Sequence, residues 1–281
     1  MIEIRDLNFR YGRRPLFNGL SLNLEPGIHG LLGKNGAGKS SLLKIISGLL
    51  FARQGEIRVM GQNPARRTPS LLSDIFFLPE EFTLPAFTAD SYVSFHAPFY
   101  PRFSREEFDA HMREFQLEGD RKLSQLSHGQ KKKFLLAFGM ASGSRILMLD
   151  EPTNGLDIPS KSQFRRLISS SLTEDRCILI STHQVRDVEN LIDPIIIVED
   201  GKIIFQHSLE AIGRGIHIRQ YGAEPRETET LYAEKGLGGW FGLAAGADAE
   251  GSGVDLELLF NGVIKDAEKI NSLIAGGADR D

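Results

Sequence analysis

The segment Gly33-Lys34-Asn35-Gly36-Ala37-Gly38-Lys39-Ser40 constrains this chain more than any other. It follows the apolar run Ile28-His29-Gly30-Leu31-Leu32, which reads as a strand, and precedes Ser40–Leu50. There Leu42, Leu43, Ile45, Ile46, Leu49 and Leu50 keep the spacing of a helix with one buried face. Strand, glycine loop and helix in that order leave few folds open. Glycines let backbone N–H groups turn inward, and the helix start adds partial positive charge, so the loop is suited to an anion. The spacing G-x-x-x-x-G-K-S specifies phosphates: Lys39 is placed to reach the β- and γ-phosphates of a nucleotide, and the Ser40 hydroxyl to ligate Mg²⁺.

The rest of the chain supplies a sheet for that loop. Ile2-Glu3-Ile4, Leu20–Leu24 and Gly55–Met60 read as short strands of an amino-terminal β-rich layer. Ile75–Leu78, Ile146–Leu149, Cys177–Ile180 and Ile195–Val198 are continuous apolar runs, and helical stretches such as Pro159–Leu172 and Gln184–Leu191 separate the last three. That alternation predicts an α/β fold whose mostly parallel sheet is covered on both faces. Between about 89 and 142 the pattern turns helical, clearest at Arg105–Phe115 and Gly129–Met140, so a helical subdomain interrupts the sheet. From about Ser208 glycines accumulate (Gly236, Gly238, Gly239, Gly242, Gly246, Gly251, Gly253), and an amphipathic helical pattern runs from Leu256 to Ile274. Residues 1–207 are thus expected to form the main domain, and 208–281 a small α+β appendage suited to self-association.

Composition narrows the setting. A formal charge of −4 offers no general basic face for nucleic acid, so no nucleic-acid partner is expected. The one cysteine, Cys177, sits inside an apolar strand and reads as a buried spectator in a reducing compartment. The start lacks the basic flank and apolar stretch of a signal peptide. No apolar window approaches the roughly 20 residues that span a bilayer. A cytoplasmic location is expected, with any membrane role supplied by a partner.

A second constellation is Ile146-Leu147-Met148-Leu149-Asp150-Glu151, an apolar strand that ends in two carboxylates. Ligands of parallel-sheet proteins gather at the carboxyl ends of strands. Asp150 is placed to hold Mg²⁺ through water, and Glu151 to polarise an attacking water as general base. Alone, the pair would equally suit a solvated acidic turn before Pro152; beside the phosphate loop it points to a P-loop NTPase. Lys131, Lys132 and Lys133 read as a solvated helix face.

Leu126-Ser127-His128-Gly129-Gln130 is, locally, a capping box of S-x-x-Q spacing. It also resembles the L-S-G-G-Q sequence of the ABC ATPase family, with His128 in place of a glycine. The resemblance covers roughly Met1 to Phe205 and implies an ATP-hydrolysing, nucleotide-binding subunit of a transporter, with ATP and Mg²⁺ as cofactors. It implies that Gly33, Asn35, Gly36, Gly38, Lys39, Ser40 and Ser41 hold the phosphates. Ser127, Gly129 and Gln130 would address the nucleotide of a second subunit. Asp157, in Pro152-Thr153-Asn154-Gly155-Leu156-Asp157, matches the family's subunit-contacting aspartate, and His183, in Ser181-Thr182-His183, its γ-phosphate histidine. Tyr11 matches the aromatic residue that stacks on adenine, although core packing would suit it equally. Where the family has a glutamine that ligates Mg²⁺, this chain has Pro79-Glu80-Glu81, so Glu80 (or Glu81) takes that position. The aromatic run Phe82–Phe103 fits both the core of the helical subdomain and a cleft for a membrane partner. The implied assembly is a homodimer, or a heterodimer with another ABC ATPase, that sandwiches two ATP molecules. It would power an integral membrane permease, with export favoured over import, from the inner face of the plasma membrane. A soluble ABC ATPase acting on nucleic acid or ribosomes is the alternative.

Overall fold

The computed structural model describes residues 1–226, 228–246 and 254–278; Gly251 and Gly253 of the glycine-rich stretch lie outside them. The chain begins with β1 (Ile2–Tyr11), β2 (Arg14–Leu24), β3 (Gly27–Leu32), α1 (Lys39–Ile46), β4 (Gln54–Val59), α2 (Pro69–Leu72) and β5 (Ile75–Leu78). The helices α3 (Ala89–His96), α4 (Arg105–Glu114) and α5 (His128–Ala141) follow. Then come β6 (Ile146–Asp150), α6 (Ile158–Ser170), β7 (Cys177–Thr182), β8 (Ile195–Glu199) and β9 (Lys202–His207). Last are α7 (Leu209–Gly215), β10 (Ile216–Tyr221), β11 (Tyr232–Gly236), β12 (Gly239–Ala245), α8 (Leu256–Lys265) and α9 (Ala267–Ala278).

The central sheet has the order β5-β6-β7-β3-β8-β9, parallel except for β9 at one edge. Every residue of β6 and β7 is buried, as expected of strands covered on both faces. Side chains alternate between two cores. Leu147, Leu149, Ile178 and Ile180 face a cluster with Phe134 and Phe138 of α5 and Phe164 of α6. Met148 and Leu179 face Leu42, Leu43, Ile45 and Ile46 of α1 together with the antiparallel layer β2-β1-β4. Each fully buried side chain of this kind contributes about 1.5–3 kcal/mol, so the register is strongly specified. Leu32 pairs with Thr182 and Asp150 with Ser181, so β3, β7 and β6 end side by side. The three loops that leave those ends must therefore meet.

The helix expected over Ser40–Leu50 stops at Ile46. Gly48 takes φ +68°, its N–H returns to Ile45 O, and a Cβ there would lie 2.4 Å from Pro64 O. The expected helix over Gln184–Leu191 does not form; only a 3₁₀ turn spans Val185–Asp187. Thr182 Oγ1 takes the Gln184 N–H at 2.9 Å, a side-chain competitor for the backbone donor, and the β-branched Val185 and Val188 are buried against the core. The aromatic run divides. Tyr92 and Phe103 pack round Phe138, whereas Phe87, Phe95 and Phe99 stay exposed, Phe95 at 61% and Phe99 at 69%.

The carboxy-terminal part carries a second antiparallel sheet, β10-β12-β11, backed by α8. The amphipathic pattern of the tail splits into two helices, because Asp266 leaves helical geometry (φ −155°, ψ 79°) and its carboxylate takes the Lys269 N–H. Glu189 accepts from Leu256 N at 2.9 Å and Asn271 donates to Ile204 O at 2.9 Å. Ile212, Ile216, Leu243 and Leu259 join the same buried cluster as α5 and α6. Among the described residues, no helix is long and apolar enough to cross a membrane.

Candidate functional site

The loop after β3 turns on Gly36 (φ +85°) and Gly38 (φ +105°), conformations that an L side chain rarely adopts. At Gly33 the constraint is space, since a Cβ would lie 2.6 Å from Val198 O. Lys39 is buried, and its Nζ donates to Gly33 O at 2.7 Å, folded over the loop's own carbonyl. A cavity of about 680 Å³ opens above it. Its walls are Tyr11, Arg14, Pro15, Leu16, Lys34, Asn35, Gly36, Gly38, Lys39, Ser40, Ser41, Glu80, Glu151, Asn154 and His183. Tyr11 is half exposed, rests edge-on against Phe9 at 4.9 Å, and has its hydroxyl 3.1 Å from Ser41 Oγ.

The two carboxylates at the end of β6 have different surroundings. Asp150 is buried, is not among the residues that line the cavity, and accepts a hydrogen bond from Ser181 Oγ. Glu151 reaches into the cavity: Oε2 accepts from Thr182 Oγ1 at 3.0 Å, and Oε1 accepts from His183 N at 3.0 Å. His183 Nδ1 lies 2.8 Å and Lys39 Nζ 3.7 Å from the same Oε1. Glu151 holds φ +47°, uncommon for a residue other than glycine and a recurrent mark of functional sites. Across the cavity Asn154 donates to Glu80 Oε1 at 3.1 Å; Glu81 is exposed and takes no part in the wall.

Magnesium suits this donor set, because Ser40, Glu80 and Asp150 all offer hard oxygens. Among the described residues no group of three or more His, Cys, Asp or Glu side chains could enclose a metal by itself.

Ser127, Gly129, Gln130 and Asp157 lie outside this cavity. Ser127 caps α5 as the spacing predicts: its Oγ accepts from Gln130 N at 3.2 Å, and Gln130 Oε1 accepts from Ser127 N at 3.0 Å. Asp157 caps α6 through Ser160 N at 2.9 Å. The His128 ring stacks on Phe82 at 5.4 Å.

The reading of Lys131–Lys133 as a solvated face is overturned at its middle residue. Lys132 is not on a solvated face; it is fully buried, and its Nζ donates to Glu151 O at 2.9 Å and Asn154 O at 2.8 Å. Its side of α5 lies against the loop after β6, where desolvation is offset by two carbonyls. Arg14, Pro15, Leu16, Lys34 and Asn154 also line the cavity and were not among the candidate site residues. Arg14 had a local signal, since it pairs with Tyr11 across the β1–β2 hairpin. Cys177 is the spectator expected, with burial pushing its thiol up to about 12.

Comparison with known proteins identifies the family. The family model described as ABC transporter matches residues 17–154. The Nod factor export ATP-binding protein I of Rhizobium etli is 31% identical over 249 residues, which is 83% of this chain and 78% of that protein. The lantibiotic transport ATP-binding protein SrtF of Streptococcus pyogenes is 31% identical over 216 residues, 73% of this chain and 90% of that one. The ABC transporter ATP-binding protein YtrB of Bacillus subtilis is 30% identical over 206 residues, 72% and 70% of the two chains. Among solved structures, an ATP-binding subunit of an ABC transporter superposes with a TM-score of 0.70 at 25% identity, covering 76% of this chain and 92% of that one. A dimeric ATP-binding cassette bound to ADP and Pi shares the fold, with a TM-score of 0.66 at 22% identity, covering 74% and 99%. A phosphate loop at the end of β3, a carboxylate pair at the end of β6 and a histidine at the end of β7 are thus found in a chain of this ancestry, and the protein belongs to the ABC transporter family as an ATP-binding, ATP-hydrolysing subunit.

Proposed function

We propose that this chain hydrolyses ATP with Mg²⁺ in a head-to-tail dimer and so drives export through a separate membrane permease. The observation that carries the reading is the position of Glu151. Its carboxylate faces the cavity, tied to Thr182 and His183 and 3.7 Å from Lys39. A carboxylate held so, at the end of a buried strand, can accept a proton from water as general base. Lys39 trades its contact with Gly33 O for phosphate oxygens, and the backbone N–H groups of Asn35, Gly36 and Gly38, with Ser40 and Ser41 at the start of α1, cradle them. His183 orients Glu151 and reaches the γ-phosphate, while Tyr11 offers its ring to adenine.

Ser40, Glu80 and Asp150 would hold Mg²⁺. When bound, the ion supplies charge that offsets the phosphate oxygens. Ser127 is exposed and lies away from the cavity, which supports its action, with Gly129, Gln130 and Asp157, on the nucleotide of a second subunit. Phe87 and Phe95, exposed and with ring centroids 5.4 Å apart, and the exposed Phe99 offer apolar contacts fit for a permease segment at the cytoplasmic face of the membrane. Export follows from relatives named for Nod factor export and lantibiotic transport. The nucleic-acid alternative has no support in a chain of net charge −4.

Glu151→Gln tests the reading. ATP affinity should stay near wild type while turnover falls by about 10²-fold or more, with ATP-bound dimers accumulating on gel filtration. Turnover near the wild-type rate would remove Glu151 from this role. Co-purification of the tagged chain with a multi-span membrane protein tests the permease.

A further inference from the structure

Lys132 is the buried cation that the reading above leaves without a task. It stands five residues beyond the Ser127 cap of α5 and is 0% exposed. Its two acceptors are not carboxylates but the backbone carbonyls of Glu151 and Asn154, which bracket the turn after β6. Glu151 O also accepts from Asn154 N at 3.2 Å, and Glu151 N donates to Ser181 O at 2.9 Å. The residue between these bonds is the one at φ +47°. Such a backbone persists only where its surroundings over-determine it, and Lys132 supplies the restraint on the carbonyl side.

The same loop meets the first turn of α5 directly. A Cβ on Gly129 would lie 2.9 Å from Gly155 O, and one on Gly155 would meet the His128 ring at 3.3 Å. The start of α5 and the loop from Glu151 to Gly155 therefore move as one body, with Lys132 as the bond nearest the carboxylate. Burial lowers the affinity of this ammonium for its proton, and Glu80, Glu151 and Asp150 raise it. A neutral donor of the right length would satisfy the carbonyls but not that charge.

We propose that Lys132 is a positioning residue that fixes the backbone of Glu151 and ties it to the first turn of α5, so that docking of Ser127 and Gly129 on a second copy's nucleotide is transmitted to this chain's own base. The proposal rests on the roles given above to Glu151 and Ser127. It differs from them in requiring a group that touches neither nucleotide nor water.

The test uses the full chain with Lys132→Met, which keeps the apolar stem but loses donor and charge, and Lys132→Gln, which keeps an N–H donor one bond nearer the backbone. Binding of a fluorescent ATP analogue without hydrolysis, kcat, KM and thermal melting are measured for each. Analogue affinity should stay within about twofold of wild type, because Lys132 lines no part of the cavity. In Lys132→Met kcat should fall by roughly tenfold or more at unchanged KM, the scale of a base displaced by a fraction of an ångström, and Lys132→Gln should recover several-fold of that loss. Wild-type kcat in Lys132→Met, parallel loss of affinity and kcat, or no recovery by Lys132→Gln each overturns the proposal. If Lys132→Met does not fold, a reduced kcat at unchanged affinity in Lys132→Gln supports the proposal and a wild-type kcat overturns it. Glu151→Gln in the same assay separates the two ideas. An inactive Glu151→Gln beside an active Lys132→Met overturns only the role of Lys132, whereas an active Glu151→Gln overturns the base itself and this proposal with it.

Discussion

Glu80 Oε1 accepts a 3.1 Å hydrogen bond from Asn154 Nδ2, and Asn154 Oδ1 in turn accepts one of 2.8 Å from Gln184. One asparagine amide therefore joins the loops that leave β5, β6 and β7.

That link sets the expectation for Glu80, which the sequence resemblance puts in the place of a glutamine. Glutamine keeps an oxygen for Asn154 and removes one negative charge near the metal position. Glu80→Gln should retain substantial ATPase activity with weaker dependence on Mg²⁺ concentration, and Glu80→Ala should lose activity. Glu81→Ala should be nearly silent, since Glu81 is exposed and off the wall. Mg²⁺ titrations of rate decide it; wild-type curves for both alanine variants would remove this loop from the chemistry.

Lys39→Ala removes a buried cation whose present partners are the carbonyls of Gly33 and Lys34 and the carboxylate of Glu151. Charge-assisted hydrogen bonds contribute about 1.5–3 kcal/mol, so ATP affinity should fall by roughly 10- to 100-fold. Mixing this variant with Ser127→Arg should recover part of the activity, because each heterodimer then keeps one intact composite site. Heterodimers that form without recovered activity would argue against the head-to-tail arrangement.

Asp74 gives a pH dependence of stability. Burial pushes its carboxyl up, but hydrogen bonds from Arg145 at 2.7 Å and from Arg102 outweigh burial and hold it below the usual range. The bonds stabilise the fold by about 1–2 kcal/mol, the arginines being partly solvated. A depressed carboxyl contributes fully above its unfolded value of about 3.9 and loses that contribution as pH falls through the lower folded value. Asp74→Asn should therefore melt below wild type at pH 7, with the gap closing below about pH 4. An equal gap at both pH values would contradict the assignment.

Legibility in the sequence followed the range of the forces. Gly33–Ser40 and Asp150-Glu151 were readable because their spacing and the flanking apolar runs are local. The parallel sheet was readable because strands buried on both faces leave no polar alternation. Lys132 was not readable, since three successive lysines on a helix look solvated and only the crossing of α5 under the loop after β6 buries the middle one. Gln184–Leu191 misled for a related reason: its periodicity is helical, but Thr182 captures the Gln184 amide. In the tail, Asp266 cut one periodic pattern into two helices by taking the Lys269 amide, a side-chain event that hydrophobic spacing cannot signal.

The distance of Ser127 from the cavity of its own chain has a kinetic consequence. If the working site needs Ser127 from a second copy, activity per chain rises in proportion to protein concentration while monomers dominate, and levels off only once dimers do. Dilution alone would then silence the enzyme. A permease that holds two copies side by side would replace bulk concentration with a local one in the millimolar range, so that ATP is consumed chiefly where there is a transporter to drive.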